Sequence, residues 1–114
     1  MPIITILSDF GTRDSYVAQV KGVILGICPQ ATLVDICHQV APQAVAEASF
    51  LLAQAAPYFP EGTVHLAVVD PGVGTDRTPI AVRMAATFFV APDNGLLEGV
   101  LAGAAAYEVV ALTN

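Results

Sequence analysis

The sequence has few basic residues and no long uninterrupted apolar run. Four lysines and arginines stand against ten acidic residues, and the formal net charge is −6. Because so few positive charges cannot neutralise a series of phosphates, we expect no nucleic acid and no anionic membrane surface among its partners. Charged residues, glutamine or proline interrupt each apolar run before it reaches the roughly 20 residues of a membrane-spanning helix. We therefore expect no segment that crosses a membrane.

Cysteines and targeting signals are equally scarce. The two cysteines, Cys28 and Cys37, are spaced too far apart for a CxxC metal or redox site. Free thiols in a reducing compartment are the simplest interpretation. The first residues, from Met1 to Ile4, contain no basic segment of the kind that begins a signal peptide. These features together predict a cytoplasmic protein.

Apolar residues, in contrast, are in excess. Hydrophobic residues make up 55% of the chain and charged residues only 12%. A chain of 114 residues is long enough for one domain with one modest core, so we treat residues 1–114 as a single unit. The surplus predicts that part of the apolar surface is covered by a partner subunit or by a second domain.

Short β-branched runs alternate with helical periodicity along most of the chain. The first half predicts strand, helix, strand, helix, strand, and its near-continuous apolar strands suit a parallel sheet covered on both faces. We therefore expect a three-layer α/β/α domain with a mostly parallel sheet. The predicted strands are 3–7, 32–36, 63–69, 79–83, 87–90 and 108–112, and the predicted helices are about 17–27, 42–56 and 96–104.

Polar residues follow several of these strands. Asp9, His38 and Asp70 come after the first three strands, and Asn94 comes after a later one. In an open α/β sheet the ligand crevice lies beyond the carboxyl ends of the strands, so these residues are candidates for a binding site. A turn role is the alternative for Asp9 and Asn94, and a satisfied core position is the alternative for His38. His65 lies within a strand and is expected to be packed.

Asp70 and Arg77 are the most specific pair. They flank a Pro-Gly-Val-Gly loop, and Arg77 is one of only four basic residues. An Asp–Arg pair in a crevice keeps the carboxylate ionised and orients the guanidinium, although a structural salt bridge is the alternative. The usual glycine-rich phosphate motifs are missing. The run that starts at Asp9 is only a weak match to the aspartate loop of magnesium-dependent phosphatases, because the second aspartate of that loop is absent.

Taken in order, several segments resemble the S-adenosylmethionine (SAM) hydroxide adenosyltransferases, or SAM hydrolases, which are relatives of fluorinase and chlorinase. Each segment alone is unremarkable, but the set is specific because it spans almost the whole chain in the family's order and spacing. The segments are Ser8-Asp9-Phe10-Gly11, Tyr16-Val17, Lys21-Gly22-Val23-Ile24, Val34-Asp35-Ile36-Cys37-His38, Phe59-Pro60-Glu61-Gly62-Thr63-Val64-His65, residues 68–75 with Arg77, and Ala91-Pro92-Asp93-Asn94-Gly95-Leu96-Leu97.

The resemblance implies that water attacks C5′ of the ribose of SAM and releases adenosine and methionine. It implies that Asp70 and Arg77 are two members of a catalytic Asp-Arg-His group and that Asp9 binds the ribose hydroxyls. Two residues, Asp14 and Tyr16, match positions near the methionine end of the substrate. Asn94 is a further substrate-binding candidate. The resemblance implies neither a metal nor a cofactor.

The resemblance also favours water over a halide as the nucleophile. The halogenating relatives lack the acidic Asp-Pro-Gly-Val-Gly form, and fluorinase has an insertion that the short link from Met84 to Thr87 cannot contain. Family members have a second, mostly β domain and form trimers, so we expect these residues to be the N-terminal domain of a longer homotrimeric enzyme. The third catalytic residue, a histidine, would then lie beyond Asn114. The alternatives are a non-catalytic module that binds SAM or adenosine and a halide-using adenosyl transferase.

Overall fold

A computed structural model describes residues 2–69 and 79–112 of the chain. They form six strands and three α-helices in the predicted order. Most boundaries lie within two residues of the prediction. The elements are β1 (Ile3–Ser8), α1 (Tyr16–Ile27), β2 (Thr32–Cys37), α2 (Val45–Ala55) with a short 3₁₀ turn (Ala56–Tyr58), β3 (Val64–Val68), β4 (Pro79–Met84), β5 (Thr87–Pro92), α3 (Glu98–Leu101) and β6 (Glu108–Ala111).

The start of α2 and the length of α3 differ from the prediction. Pro42 does not begin α2, because Pro42 and Gln43 form a turn in which Gln43 has a positive φ of 63°. That left-handed conformation cannot continue into a helix, and α2 begins only at Val45. The third helix is a single turn, Glu98–Leu101.

The sheet is mixed and mostly parallel, with the strand order β2-β1-β3-β5-β4-β6. The first four strands in that order are parallel, whereas β4 pairs antiparallel with both β5 and β6. A two-residue turn at Ala85 and Ala86 joins β4 to β5, in agreement with the short link from Met84 to Thr87 noted in the sequence. Because parallel strands share a direction, the carboxyl ends of β1, β2, β3 and β5 meet along one edge of the sheet.

The helices cover both faces of the sheet, so the three-layer prediction is confirmed. Leu7 of β1 belongs to one buried cluster with Ala48 and Leu52 of α2. Ile6 precedes Leu7 in β1, so its side chain lies on the opposite face of the sheet. Asp35 pairs with Ile6 and shares that face, and Lys21 of α1 bonds Asp35 there. The rest of the buried cluster consists of Val40, Ala56, Ala67, Val69, Val82, Phe89, Ala91, Leu96 and Leu97.

The α1 layer leaves much of its apolar surface exposed. No residue of α1 is fully buried, and the side chains of Val23 and Ile27 are 65% and 81% exposed. The apolar surplus of the sequence is therefore visible as exposed surface in the described part of the chain. No helix among the described residues has the length and hydropathy needed to cross a membrane. Both cysteines, Cys28 and Cys37, are free thiols.

Candidate active site

Asp9 follows β1 directly, at the edge of the sheet where the parallel strands end. Its Oδ2 accepts a hydrogen bond of 2.9 Å from the backbone N–H of Gln43, which lies in the turn before α2. The described residues provide no partner for the other carboxylate oxygen, and the side chain is only half-buried. Asp9 therefore has one structural bond, to a residue 34 positions along the chain and not to its own turn, and it also retains acceptor capacity for a ligand.

Further bonds tie the loop after β1 to the loop after β2. The N–H of Gly11 donates to the carbonyl oxygen of His38 at 2.7 Å, and the side-chain amide of Gln39 donates to Thr12 Oγ1 at 3.0 Å. Gly11 has a positive φ of 74°, a conformation that glycine adopts without a steric penalty. Because these two bonds join the loops and the N–H of Gln43 bonds the Asp9 carboxylate, the position of Asp9 is fixed by the surrounding fold.

A hydrogen-bonded series of polar side chains starts at Ser8, the residue before Asp9, and runs through His38 and Asp35 to Lys21. Ser8 Oγ and His38 Nδ1 are 2.6 Å apart, and His38 Nε2 lies 2.8 Å from Asp35 Oδ1. Lys21 Nζ bonds the other oxygen of Asp35 at 2.8 Å. Burial by itself would raise the pKa of Asp35, but the hydrogen bonds from His38 and Lys21 and the nearby positive charge outweigh it and lower the pKa. His38 is thus a satisfied buried histidine.

Sequence reasoning did not assign Ser8 or Asp35 to this series. The available signal was Asp35 itself, a carboxylate in an otherwise apolar strand. Ser8, the other partner of His38, is 30 positions away from it, and the two meet only because β1 and β2 pair with Ile6 opposite Asp35.

His65 is packed inside the sheet, as predicted. Its Nδ1 lies 2.6 Å from Thr5 Oγ1, its ring stacks on Phe89, and its edge contacts Phe59. Its Nε2 is buried without a hydrogen-bond partner in the described structure. Burial lowers the pKa of His65, so the neutral ring is favoured.

Asp14 and Tyr16 lie at the start of α1. Asp14 Oδ1 accepts a hydrogen bond of 3.0 Å from the N–H of Tyr16, so the carboxylate satisfies one of the free donors of the first helical turn. Tyr16 is 56% exposed, and its ring lies 6.1 Å from that of Phe10. The two rings line a shallow hollow of about 330 Å³ with Gln19 and Val20. Both candidates are therefore accessible to a ligand.

Asn94 connects the exit of β5 to the end of β3. Its side-chain N–H donates to the carbonyl oxygen of Val69 at 2.9 Å, and its Oδ1 accepts from the N–H of Leu96 at 3.1 Å. This is the turn role that the sequence offered as an alternative. Substrate binding by Asn94 stays a prediction.

The predicted catalytic pair, Asp70 and Arg77, lies outside the described residues, in the segment between β3 and β4. The described part of this segment ends at Val69, which is fully buried next to the carboxyl end of β3. Within residues 2–69 and 79–112, no group of three or more histidines, cysteines and acidic residues is arranged to hold a metal ion.

Among the described candidates, Asp9, His38 and Asn94 follow β1, β2 and β5, so the carboxyl edge of the sheet brings them to one side of the domain.

The sequence model of the SAM hydroxide adenosyltransferase N-terminal domain matches residues 4–114. The chain belongs to the SAM hydroxide adenosyltransferase family. The residues matched include every strand and helix except the first residue of β1, so the resemblance read from the motifs is confirmed.

Individual relatives of this family member include enzymes and solved structures. The chain is 51% identical over 90 residues to the (R)-S-adenosyl-L-methionine hydrolase of Thermus thermophilus, covering 79% of this chain and 35% of that protein. It is 35% identical over 123 positions to the fluorinase of Actinopolyspora mzabensis, covering 88% and 41%. The crystal structure of an uncharacterized conserved protein from Thermotoga maritima superposes with a TM-score of 0.93 at 42% identity, covering 97% and 43%. This chain therefore spans well under half the length of each of these relatives.

Proposed function

We propose that the protein to which these residues belong hydrolyses SAM at C5′ of the ribose and releases adenosine and L-methionine. The observation that carries the proposal is the fixed position of Asp9 at the carboxyl edge of a domain of this family, with one carboxylate oxygen unpaired among the described residues. The (R)-S-adenosyl-L-methionine hydrolases among its relatives support the same reaction, at 41–51% identity.

The chemistry of this displacement determines what the protein must supply. A sulfonium leaves as a neutral thioether, so the leaving group needs no acid. The nucleophile is the difficulty, because water must be held behind C5′, in line with the carbon–sulfur bond, and made more like hydroxide. Alignment of reactants in a bound complex can contribute up to about 7–11 kcal/mol to such a reaction.

Each candidate residue receives a role that suits its chemistry. The carboxylate of Asp9 accepts hydrogen bonds from the ribose hydroxyls and so fixes the sugar. The guanidinium of Arg77 favours deprotonation of the attacking water, and Asp70 orients that guanidinium and accepts a hydrogen bond from the water. Asp14 pairs with the ammonium group of the methionine moiety beside Tyr16. Asn94 contributes to the pocket wall.

Water is preferred to a halide as the nucleophile for two reasons. A carboxylate beside the attacking position repels a halide anion but accepts a hydrogen bond from water. The alignment with fluorinase also extends over 123 positions, more than the 114 residues of this chain, so fluorinase contains residues in this region that the chain lacks. The alignment with the Thermus hydrolase covers 90 residues, which is 79% of this chain, and requires no such insertion.

The remaining features of the proposal concern assembly and location. The active enzyme is a cytoplasmic homotrimer in which a second domain completes the site, and it uses SAM as substrate without a metal or a cofactor. The exposed apolar side chains of α1, such as Val23 and Ile27, are consistent with a domain that is covered in an assembly.

Chromatography of the full-length protein incubated with SAM tests the proposal. Adenosine and methionine should appear in equal amounts. Arg77→Gln should lower kcat at least about a hundredfold, which is the usual cost of removing one group that stabilises developing charge. Arg83→Gln is the matched control, because Arg83 forms an exposed ion pair with Glu108 on β4 and β6 and should leave the rate within about twofold.

Three outcomes would contradict parts of this proposal. Binding of SAM without release of adenosine would indicate a non-catalytic binding module. Formation of a 5′-halo-5′-deoxyadenosine in the presence of chloride or fluoride would indicate a halide-using transferase. A requirement for magnesium would support the phosphatase-like interpretation of Asp9.

A further inference from the structure

We propose that His38 is a positioning residue that holds Asp9 in place for the ribose hydroxyls, and that it acts through the hydroxyl of Ser8. The inference rests on the proposed function, because it concerns the residue that binds the ribose. It adds a role for three residues, Ser8, Asp35 and His38.

The hydrogen-bond chain has one consistent arrangement of protons for a neutral imidazole. An ionised Asp35 can only accept, so His38 Nε2 carries the proton and donates to it across 2.8 Å. Nδ1 is then an acceptor, and the hydroxyl of Ser8 donates to it across 2.6 Å. A lone pair of Ser8 Oγ remains for the N–H of Phe10, which lies 3.3 Å away. Every polar atom of the chain is therefore used.

The burial of the chain argues for positioning and against direct chemistry. Ser8 has no exposed surface, and His38 is only 6% exposed. A Ser-His-Asp sequence of contacts is also found in hydrolases that use a serine nucleophile, but such a nucleophile must reach its substrate. The hydroxyl of Ser8 cannot do so. Asp35 and Lys21 instead fix the orientation of the imidazole from the other side.

His38 contacts the loop on both sides of Asp9. Its side chain bonds Ser8, the residue before Asp9, and its carbonyl oxygen accepts from the N–H of Gly11, two residues after Asp9. The N–H of Gln43 then holds one oxygen of the Asp9 carboxylate. These three bonds form a frame that fixes the other oxygen of the Asp9 carboxylate, and His38 makes two of them. A displacement of about 1 Å in such a frame can cost about a hundredfold in rate.

Two isosteric substitutions separate the bond to Ser8 from the bond to Asp35. The amide of asparagine reaches the position of Nδ1, so His38→Asn keeps an acceptor for Ser8 and loses the bond to Asp35. The amide of glutamine reaches the position of Nε2, so His38→Gln keeps the bond to Asp35 and loses the one to Ser8. If His38 acts through Ser8, only the glutamine variant and Ser8→Ala should misplace Asp9.

The measurement is calorimetric binding of adenosine and of 2′,3′-dideoxyadenosine to the full-length protein. The dissociation constant of 2′,3′-dideoxyadenosine divided by that of adenosine reports how strongly the ribose hydroxyls are bound. In the wild type this ratio should be at least about ten. We expect His38→Gln and Ser8→Ala to bring the ratio close to one and His38→Asn to keep it within about threefold of the wild type.

Thr5→Val is the matched control, because Thr5 lies on β1 like Ser8 and forms an equally buried hydroxyl–imidazole bond, in this case with His65 of β3. It should lower stability without changing the ratio. An unchanged ratio in His38→Gln and Ser8→Ala, or an equal weakening of both ligands, would overturn the inference while leaving SAM hydrolysis intact. If His38→Gln does not fold, Ser8→Ala decides alone. A wild-type ratio near one would remove the ribose role of Asp9 and this inference with it.

Discussion

The buried histidine of β3, His65, should make the stability of this domain depend on pH in the mildly acidic range. Its ring is fully buried between Phe59 and Phe89, and its Nε2 has no partner among the described residues. Burial lowers its pKa in the folded state, whereas the unfolded chain retains the ordinary value of about 6.5. The double variant Thr5→Val/His65→Leu replaces the bonded pair by two apolar side chains of similar size.

The sign follows from the protons bound in each state. Above about pH 6.5 both states carry a neutral ring, and the His65 contribution to stability is fully present. As the pH falls below that value the unfolded chain binds a proton that the folded chain resists, so the free energy of unfolding decreases. For one proton the slope is at most about 1.4 kcal/mol per pH unit. The decrease ends once the pH passes the lowered pKa of the folded state.

Urea unfolding followed by circular dichroism at pH 8.0, 6.5, 5.5 and 5.0 measures this difference. At pH 8 the double variant should be close to the wild type, because replacing both partners by apolar groups can be nearly neutral, within about 1 kcal/mol. Between pH 6.5 and 5 the wild type should lose up to about 2 kcal/mol relative to the double variant. Parallel curves for the two proteins over this range would refute the reasoning. Other groups titrate equally in both and cancel.

Three further substitutions test the packing of the helices. Gly99→Ala should destabilise the domain by about 1–2 kcal/mol, because a Cβ at Gly99 would lie 2.8 Å from Ser49 Oγ and 2.9 Å from its backbone oxygen. A Cβ at Gly22 in α1 has no neighbour within 4 Å, so Gly22→Ala should raise the free energy of unfolding by up to about 1 kcal/mol. A Gly99→Ala variant more stable than the Gly22→Ala variant would contradict the packing described. Leu52→Ala removes a fully buried side chain of α2 and should cost about 2–5 kcal/mol in urea unfolding, whereas a loss below about 1 kcal/mol would show that this cluster is not the core.

Much of the fold could be predicted from the sequence because its signals are local. The β-branched run before Ser8 and the apolar residues at helical spacing before Pro29 depend only on neighbouring positions, and β1 and α1 follow them closely. The predicted start of α2 at Pro42 is wrong, because proline suits a β-turn as well as the first turn of a helix. Only the left-handed conformation of Gln43 decides between them.

The site was predictable in position but not in its supporting contacts. Parallel strands end at one edge, so the place of Asp9 follows from topology alone. The bonds that hold it come from Gln43 and His38, about 30 residues further along the chain. They depend on the register of β1 against β2, which shifts between Ile6 and Leu7. Local sequence patterns contain no information about such a shift.

The position of an oxygen label tests the central claim most directly. The full-length protein should be incubated with SAM in water enriched in ¹⁸O, and the products should be analysed by mass spectrometry. Attack of water at C5′ predicts one ¹⁸O atom in the 5′-hydroxyl of adenosine and none in methionine. Unlabelled adenosine, or label in a product of the methionine moiety, would contradict the account.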